Sequence, residues 1–313
     1  MVHLGDITKL NGGEIPAVHI ITFGSPCQNL SQAGDREGLA GGKSGLYYQA
    51  IRIINEMREA TNGAFPVITV WENVMGAFSS NDRMDFRAVL QSFTAAEVSM
   101  PASGRWANTG MVRGGTPDLA WRLMDAQYWG KPRLPQRRRR IFLLADFGGQ
   151  RAAEILYRPG GLFKDTAVGA EGGMSSTERN RIFAPKAGRE LPIIHPFQNR
   201  RMRGNAQKGD HAGFIGSFGK STDPFPTLLA GDVTMFSLWY GNDYENGVIR
   251  YVTPLEAERL MGLPEGWTLY GVDGNIIADG PRYKALGNAI ALPCAEYIMG
   301  GIAKVLNGGD FYT

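Results

Sequence analysis

The run Val18-His19-Ile20-Ile21-Thr22-Phe23-Gly24-Ser25-Pro26-Cys27-Gln28 decides how this chain is expected to fold. A short apolar, β-branched stretch ending at a glycine reads as a buried strand over residues 18–24. Pro26 cannot donate to a strand ladder and stiffens the turn that follows. Cys27 is therefore expected at the carboxyl end of a strand, the edge at which open α/β sheets bind ligands. A thiol there is a candidate nucleophile. Its other reading is a small buried apolar residue, the usual state of a free cysteine.

Working outward, Leu46 to Glu59 reads as an amphipathic helix, with Leu46, Ile51, Ile54 and Met57 as core positions. Pro66-Val67-Ile68-Thr69-Val70-Trp71 reads as a second buried strand that closes at Glu72-Asn73-Val74. Arg87 to Phe93 continues a short helix, and Ile141-Phe142-Leu143-Leu144-Ala145 is a further strand. Strands alternating with helices of this length imply an α/β fold, with a mostly parallel sheet covered on both faces.

The character changes after about residue 147. From Gly148 to about Gly247 the chain is rich in Gly, Pro, Asn and Arg, with little sustained periodicity. This stretch is expected to form a second, smaller domain of loops and short strands. Helical signal returns at Thr253-Pro254-Leu255-Glu256, where Thr253 can cap, Pro254 suits the first turn and Glu256 completes a capping box. A last helix follows Gly287-Asn288-Ala289-Ile290 and runs to about Leu306. The expected division is thus 1–147, 148–247, and 248–313 returning to the first domain.

Composition narrows the class. A chain of 313 residues can bury a sizeable core and is expected to divide into two domains. No apolar run approaches the roughly 20 residues that span a bilayer. The N-terminal residues lack the basic-then-apolar pattern of a secretory signal. The two cysteines, Cys27 and Cys294, are far apart, which argues against a disulfide framework or a zinc site and fits a reducing cytoplasm. No metal is expected. The net charge of +3 is mild, but Gln136-Arg137-Arg138-Arg139-Arg140 is a dense cationic cluster. Arg179, Arg181, Arg189, Arg200, Arg201 and Arg203 populate the irregular segment. Such clusters are either solvated surface or phosphate contacts.

Taken in order, Pro26-Cys27-Gln28, Glu72-Asn73-Val74, Gln136-x-Arg138-x-Arg140, Thr253-Pro254-Leu255-Glu256 with Arg259-Leu260-Met261-Gly262-Leu263-Pro264, and Gly287-Asn288-Ala289 resemble the motifs of the DNA (cytosine-5) methyltransferase family. The resemblance implies a Rossmann-like, S-adenosylmethionine-dependent methyltransferase sheet with a smaller irregular target-recognition domain at 148–247. It implies that Cys27 is the thiolate that adds to cytosine carbon-6. Glu72 would act at ring N3 and retain or share a proton near neutral pH. Of Arg138 and Arg140, one would hold the cytosine O2 and Glu72, and the other would orient nearby groups or DNA phosphate. Asp6, Pro26, Asn288 and Ala289 match cofactor-facing positions. Double-stranded DNA is the implied partner, with the target cytosine flipped out of the stack. Thr222-Asp223-Pro224-Phe225-Pro226-Thr227-Leu228 resembles the stretch near the end of the recognition domain.

The family's opening glycine-rich cofactor loop and its first two strand–helix units have no counterpart in this sequence. Leu4-Gly5-Asp6-Ile7-Thr8 resembles the family's third motif, and neither Gly12-Gly13 nor Gly41-Gly42 follows a strand in the required order. Three expectations follow. The enzyme is active with its N-terminal part on a separate polypeptide or cut away by a misplaced start codon; or the chain is a silent, DNA-binding remnant; or, setting the resemblance aside, it is a thiol hydrolase using Cys27 with His3, His19, His195 or His211.

Overall fold

The computed structural model describes residues 2–25, 45–94, 96–158, 193–201, 214–218, 224–230, 235–239 and 248–309. They fall into two compact units. One lies within Met1–Met124, Arg139–Leu162 and Ile298–Thr313, the other within Asp125–Arg138 and Phe163–Tyr297.

The first unit is built on a five-stranded sheet of order β1-β2-β5-β4-β3. Its strands are β1 (Ile20–Gly24), β2 (Ile68–Val74), β3 (Thr109–Val112), β4 (Asp118–Asp125) and β5 (Arg139–Asp146). β1 runs parallel to β2, with Gly24 opposite Glu72. β2 runs antiparallel to β5, with Val74 opposite Arg140, and β3 is antiparallel to β4. The sheet is therefore mixed, not mostly parallel as the strand–helix alternation implied. A parallel neighbour needs a crossover, usually a helix. Between β4 and β5 the chain forms only the 3-10 turn Ala126–Tyr128, and β5 enters against the direction of β2.

Helices α1 (Gly45–Ala60), α2 (Met84–Thr94) and the short α3 (Ala152–Tyr157) belong to this unit, together with single 3-10 turns and the part of the last helix from Ile298 onward. Ile51, Ile54 and Met57 of α1 are buried, as their spacing requires. Leu46 is not: it is 38% exposed, and Tyr47 takes the inward place in the first turn. The core is unusually aromatic. Phe86 packs edge-on against Phe78, Trp106 and Trp121, and Trp71 lies 6.2 Å from Phe86 in a stacked arrangement. Each such pair contributes about 0.5–1.5 kcal/mol beyond its buried area. β4 escapes the sequence pattern because Asp118, Arg122 and Asp125 interrupt it, yet every one of its residues is buried. Arg122 is tolerated there because its Nη1 donates to the Leu156 carbonyl at 2.9 Å.

The second unit holds a four-stranded sheet of order β7-β6-β8-β9, formed by β6 (Ile193–Arg201), β7 (Phe214–Phe218), β8 (Met235–Trp239) and β9 (Val248–Tyr251). All three pairings are antiparallel. Helices α4 (Pro254–Leu260) and α5 (Asp279–Asn288) follow, and α6 (Leu292–Leu306) begins in this unit. The predicted capping box is formed: Thr253 Oγ1 accepts from the Glu256 backbone N–H, and the Glu256 carboxylate accepts from the Thr253 N–H at 2.8 Å. Cys294 is a buried residue of α6. Among the described residues, no single helix is long and apolar enough to cross a membrane.

Candidate active site

β1 and β2 end side by side. Because Gly24 pairs with Glu72, β1 hands the chain to Ser25 directly beside the Glu72 side chain. A Cβ at residue 24 would lie 3.2 Å from Glu72 Oε2. Ser25 is then pinned from β2: Asn73 Nδ2 donates to its Oγ at 2.7 Å and Trp71 Nε1 donates to the same oxygen at 3.2 Å. Asn73 is 1% exposed, and its Oδ1 accepts from the Val74 N–H at 2.7 Å. The residue that precedes Pro26-Cys27 is thus fixed by buried side chains. Pro26 and Cys27 themselves lie outside the described residues.

Antiparallel pairing brings Arg140 of β5 to the same end of the sheet. Its Nε lies 3.0 Å from Glu72 Oε1, both side chains being largely shielded from solvent. A guanidinium suits this work because it is always charged and presents fixed, planar donors. Of the two candidate arginines, then, Arg140 is the one whose described ion pair is with Glu72.

The arginine cluster sorts by the two-residue period of extended chain. Gln136 and Arg138 are buried, Arg140 is half-buried, and Arg137 and Arg139 are exposed. Arg138, in the second unit, turns its guanidinium to backbone: Nη1 donates to the Leu228 carbonyl at 3.1 Å, and Nη2 to those of Gly287 and Ala289 at 2.9 and 2.6 Å. Spacing alone did not distinguish this role from that of Arg140. The inward–outward alternation of the Gln-x-Arg-x-Arg stretch was the available signal. Of the later arginines, only Arg200 and Arg201 lie among the described residues, on β6.

The other candidates divide between the units. Asp6, in the first, is exposed and caps the 3-10 turn Ile7–Lys9, accepting from Thr8 N and Thr8 Oγ1 at 3.0 and 2.9 Å. These hydrogen bonds hold its carboxyl below the usual carboxylate range. Arg52 of α1 fastens the same segment by donating to the Ile7 and Leu10 carbonyls. Gly12 rests on α1 so closely that any Cβ would collide with the Ile53 carbonyl. Asn288 and Ala289, in the second unit, form the corner after α5; Asn288 is exposed, while the Ala289 carbonyl is tied to Arg138. Of the histidines, His19 packs edge-on against Phe65.

The sequence profile of C-5 cytosine-specific DNA methylases matches residues 1–155 and 170–304. The chain belongs to this family. Among curated relatives, it is 24% identical to a DNA N-6-adenine-methyltransferase of Escherichia phage P1, over 98% of this chain and 56% of the relative. It is 25% identical to the Type II methyltransferase M2.BsuMI of Bacillus subtilis, over 94% and 61%. It is 22% identical to the Type II methyltransferase M.HhaI of Haemophilus parahaemolyticus, over 97% and 81%. The chain thus spans under two thirds of the first two relatives. Among solved structures, Schizosaccharomyces pombe Dnmt2 methyltransferase superposes with a TM-score of 0.55 over 97% of this chain and 84% of that one, at 19% identity. A putative DNA modification methyltransferase encoded in an Escherichia coli prophage gives 0.52 over 97% and 85%, at 15% identity. These structures establish the α/β methyltransferase fold.

The family implies S-adenosylmethionine as methyl donor. An exposed, hydrogen-bonded carboxylate at Asp6 suits the polar edge of an adenine, and the exposed Asn288 amide offers both a donor and an acceptor. Gly12 does not fit a phosphate- or methionine-cradling loop, because its backbone is packed on α1.

Proposed function

We propose that this chain performs the base chemistry of a DNA cytosine-5 methyltransferase. The Glu72–Arg140 pair carries this assignment: a glutamate held at 3.0 Å by an arginine, at the strand end where β1 leads into Pro26-Cys27. Carbon-5 of cytosine is too weak a nucleophile to take a methyl group unaided. The Cys27 thiolate forms a bond to carbon-6, and the displaced electron pair makes the ring enamine-like, so that carbon-5 becomes nucleophilic. Glu72 stabilises this adduct by hydrogen bonding or proton donation at ring N3, and Arg140 orients the Glu72 carboxyl and meets the cytosine O2. S-adenosylmethionine supplies the electrophilic methyl group when bound. A base then takes the carbon-5 proton as the carbon–sulfur bond to Cys27 breaks. The described residues nominate no side chain for that base.

Asp6, Pro26, Asn288 and Ala289 would hold the methyl donor. Arg137 and Arg139, exposed on the cationic stretch, are suited to DNA phosphates. The segment 148–247 would read duplex DNA in the cytoplasm of a prokaryotic or phage-infected cell, and 1–147 with 248–313 would form the catalytic domain. The Type II methyltransferase names among the relatives support a role in restriction and modification.

A second assignment has its own support. The chain covers 56% and 61% of two relatives while 98% and 94% of it is matched. One half of a split methyltransferase, completed by a separate polypeptide that supplies the cofactor loop, fits those facts, as does a silent DNA-binding remnant. Bisulfite sequencing of DNA from methylation-free cells expressing this chain, beside a Cys27→Ala control, separates these. Methylated cytosines in one short context, absent from the control, support an enzyme active in that cell through Cys27. No methylation from a folded chain overturns it in favour of the split or silent form.

A further inference from the structure

Three backbone carbonyls from two distant stretches of the second unit converge on one buried guanidinium. Arg138 binds Leu228 through Nη1, and Gly287 and Ala289 through Nη2. The Leu228 stretch is stitched to the Arg138 strand independently. Phe225 N donates to the Pro135 carbonyl at 2.6 Å, Arg137 N donates to the Phe225 carbonyl at 2.8 Å, and Thr227 Oγ1 donates to the Arg137 carbonyl at 2.7 Å. The corner at residues 287–289 is also pressed onto this stretch directly. A Cβ at Gly287 would collide with the Leu229 and Ala230 backbone.

We propose that Arg138 is a positioning residue that couples the seating of residues 224–230 to the conformation of the 287–289 corner. The chemistry favours coupling over independent support. A carbonyl left without its donor beside a buried cation costs more than the bond was worth. When 224–230 shifts, Arg138 loses one of its acceptors and its planar fork tilts, so the two bonds to Gly287 and Ala289 lose their geometry together. The functional weight of this rests on the methyltransferase assignment: 224–230 lies near the end of the proposed recognition segment, and Asn288 and Ala289 would face the methyl donor. DNA engagement would then be felt at the cofactor corner, and cofactor binding at the recognition segment, by the same factor.

The test is amide hydrogen exchange on the full chain, comparing wild type with Thr227→Val, Arg138→Met and the double variant. Thr227→Val removes one hydrogen bond of the 224–230 stretch and touches nothing described at the corner. Coupling predicts that it speeds exchange at least fivefold in peptides covering both 225–230 and 286–290, with 68–74 unchanged. The double variant should match Arg138→Met at 286–290, because the link is already cut. Faster exchange confined to 225–230, or additive effects in the double variant, overturns the proposal. Should Arg138→Met fail to fold, Arg138→Lys, which keeps the charge but not the planar fork, takes its place in the same comparison. A parallel titration with S-adenosylhomocysteine keeps the two ideas apart. Severalfold weaker binding by Thr227→Val supports the functional coupling. No binding by wild type counts against an enzyme active on its own and favours the split or silent form, while the exchange result still decides the coupling.

Discussion

Arg140 Nε lies 3.0 Å from Glu72 Oε1, joining β5 to the end of β2. The pair exists because β5 runs against β2 and places Arg140 opposite Val74, two positions from Glu72. In an antiparallel ladder, residues two apart share a face and long side chains reach diagonally. The ion pair is shielded, so its geometry is held by more than Coulomb attraction at an exposed surface. Glu72 is thereby held in one orientation.

Glu72→Gln should lower single-turnover methylation by about 10²–10⁴-fold, the range of one general acid. Glutamine keeps the shape and one acceptor but cannot supply a proton. DNA affinity should stay within a few-fold of wild type. A rate within threefold of wild type on the matched target would remove Glu72 from the chemistry.

Much of this site can be read in the sequence. Glu72-Asn73-Val74 closing a buried strand, and the Thr253–Glu256 capping box, follow from local rules and are present in the structure. What local rules miss depends on contacts across the chain. Nothing in the spacing reveals that Asn73 and Trp71 would grip Ser25, since the partners are 46 to 48 residues apart. β4 is hidden because its charged residues find buried partners only after folding. Leu46 and Tyr47 compete for one inward position, and only the packed core chooses Tyr47. Arg138 and Arg140 look alike in sequence, but one binds three carbonyls and the other pairs with a carboxylate.

Asn73→Ala should destabilise the first unit by about 1–3 kcal/mol, because the Val74 amide loses its Asn73 acceptor and the buried Ser25 hydroxyl keeps only the longer bond from Trp71. Urea unfolding should show a lower midpoint with an unchanged slope. Ser25→Ala should cost less on its own, and the double variant should fall short of the sum by at least about 0.5 kcal/mol. Strict additivity would show that the contact does not couple the two residues.

Asp118 makes stability respond to pH in the unusual direction. Burial pushes its carboxyl above the ordinary value; the Ala152 N–H and Arg113 pull it down, and Asp146 pushes it up again. A carboxyl raised in the folded state contributes stability that is present below the unfolded value of about 3.9 and lost as pH rises through the raised one. Asp118→Asn should therefore equal or exceed wild-type stability at pH 7, with the gain fading toward pH 4. A loss above about 1 kcal/mol at pH 7 would mean that the bonds to Ala152 and Arg113 outweigh burial.

Glu258 works the other way. Burial pushes its carboxyl up, but donors from Thr268, Gly266 and Arg282 more than offset this and leave it below the ordinary value. Its Oε1 accepts from Thr268 N at 2.8 Å and from Arg282 Nη2 at 3.1 Å, while Oε2 accepts from Gly266 N at 2.7 Å. A depressed carboxyl contributes stability present above the unfolded value of about 4.3 and lost as pH falls through the folded one. Glu258→Gln should cost about 3–5 kcal/mol at neutral pH, because Arg282 is then left buried without its main counter-charge. Asp279, 3.7 Å from Arg282 Nη1, is mostly exposed and cannot replace it. The gap between wild type and variant in urea unfolding should be widest above about pH 5 and narrow as pH drops below about 4. A gap that stays constant across that window would show that the carboxylate's charge is not what holds residues 266–268 and Arg282 together.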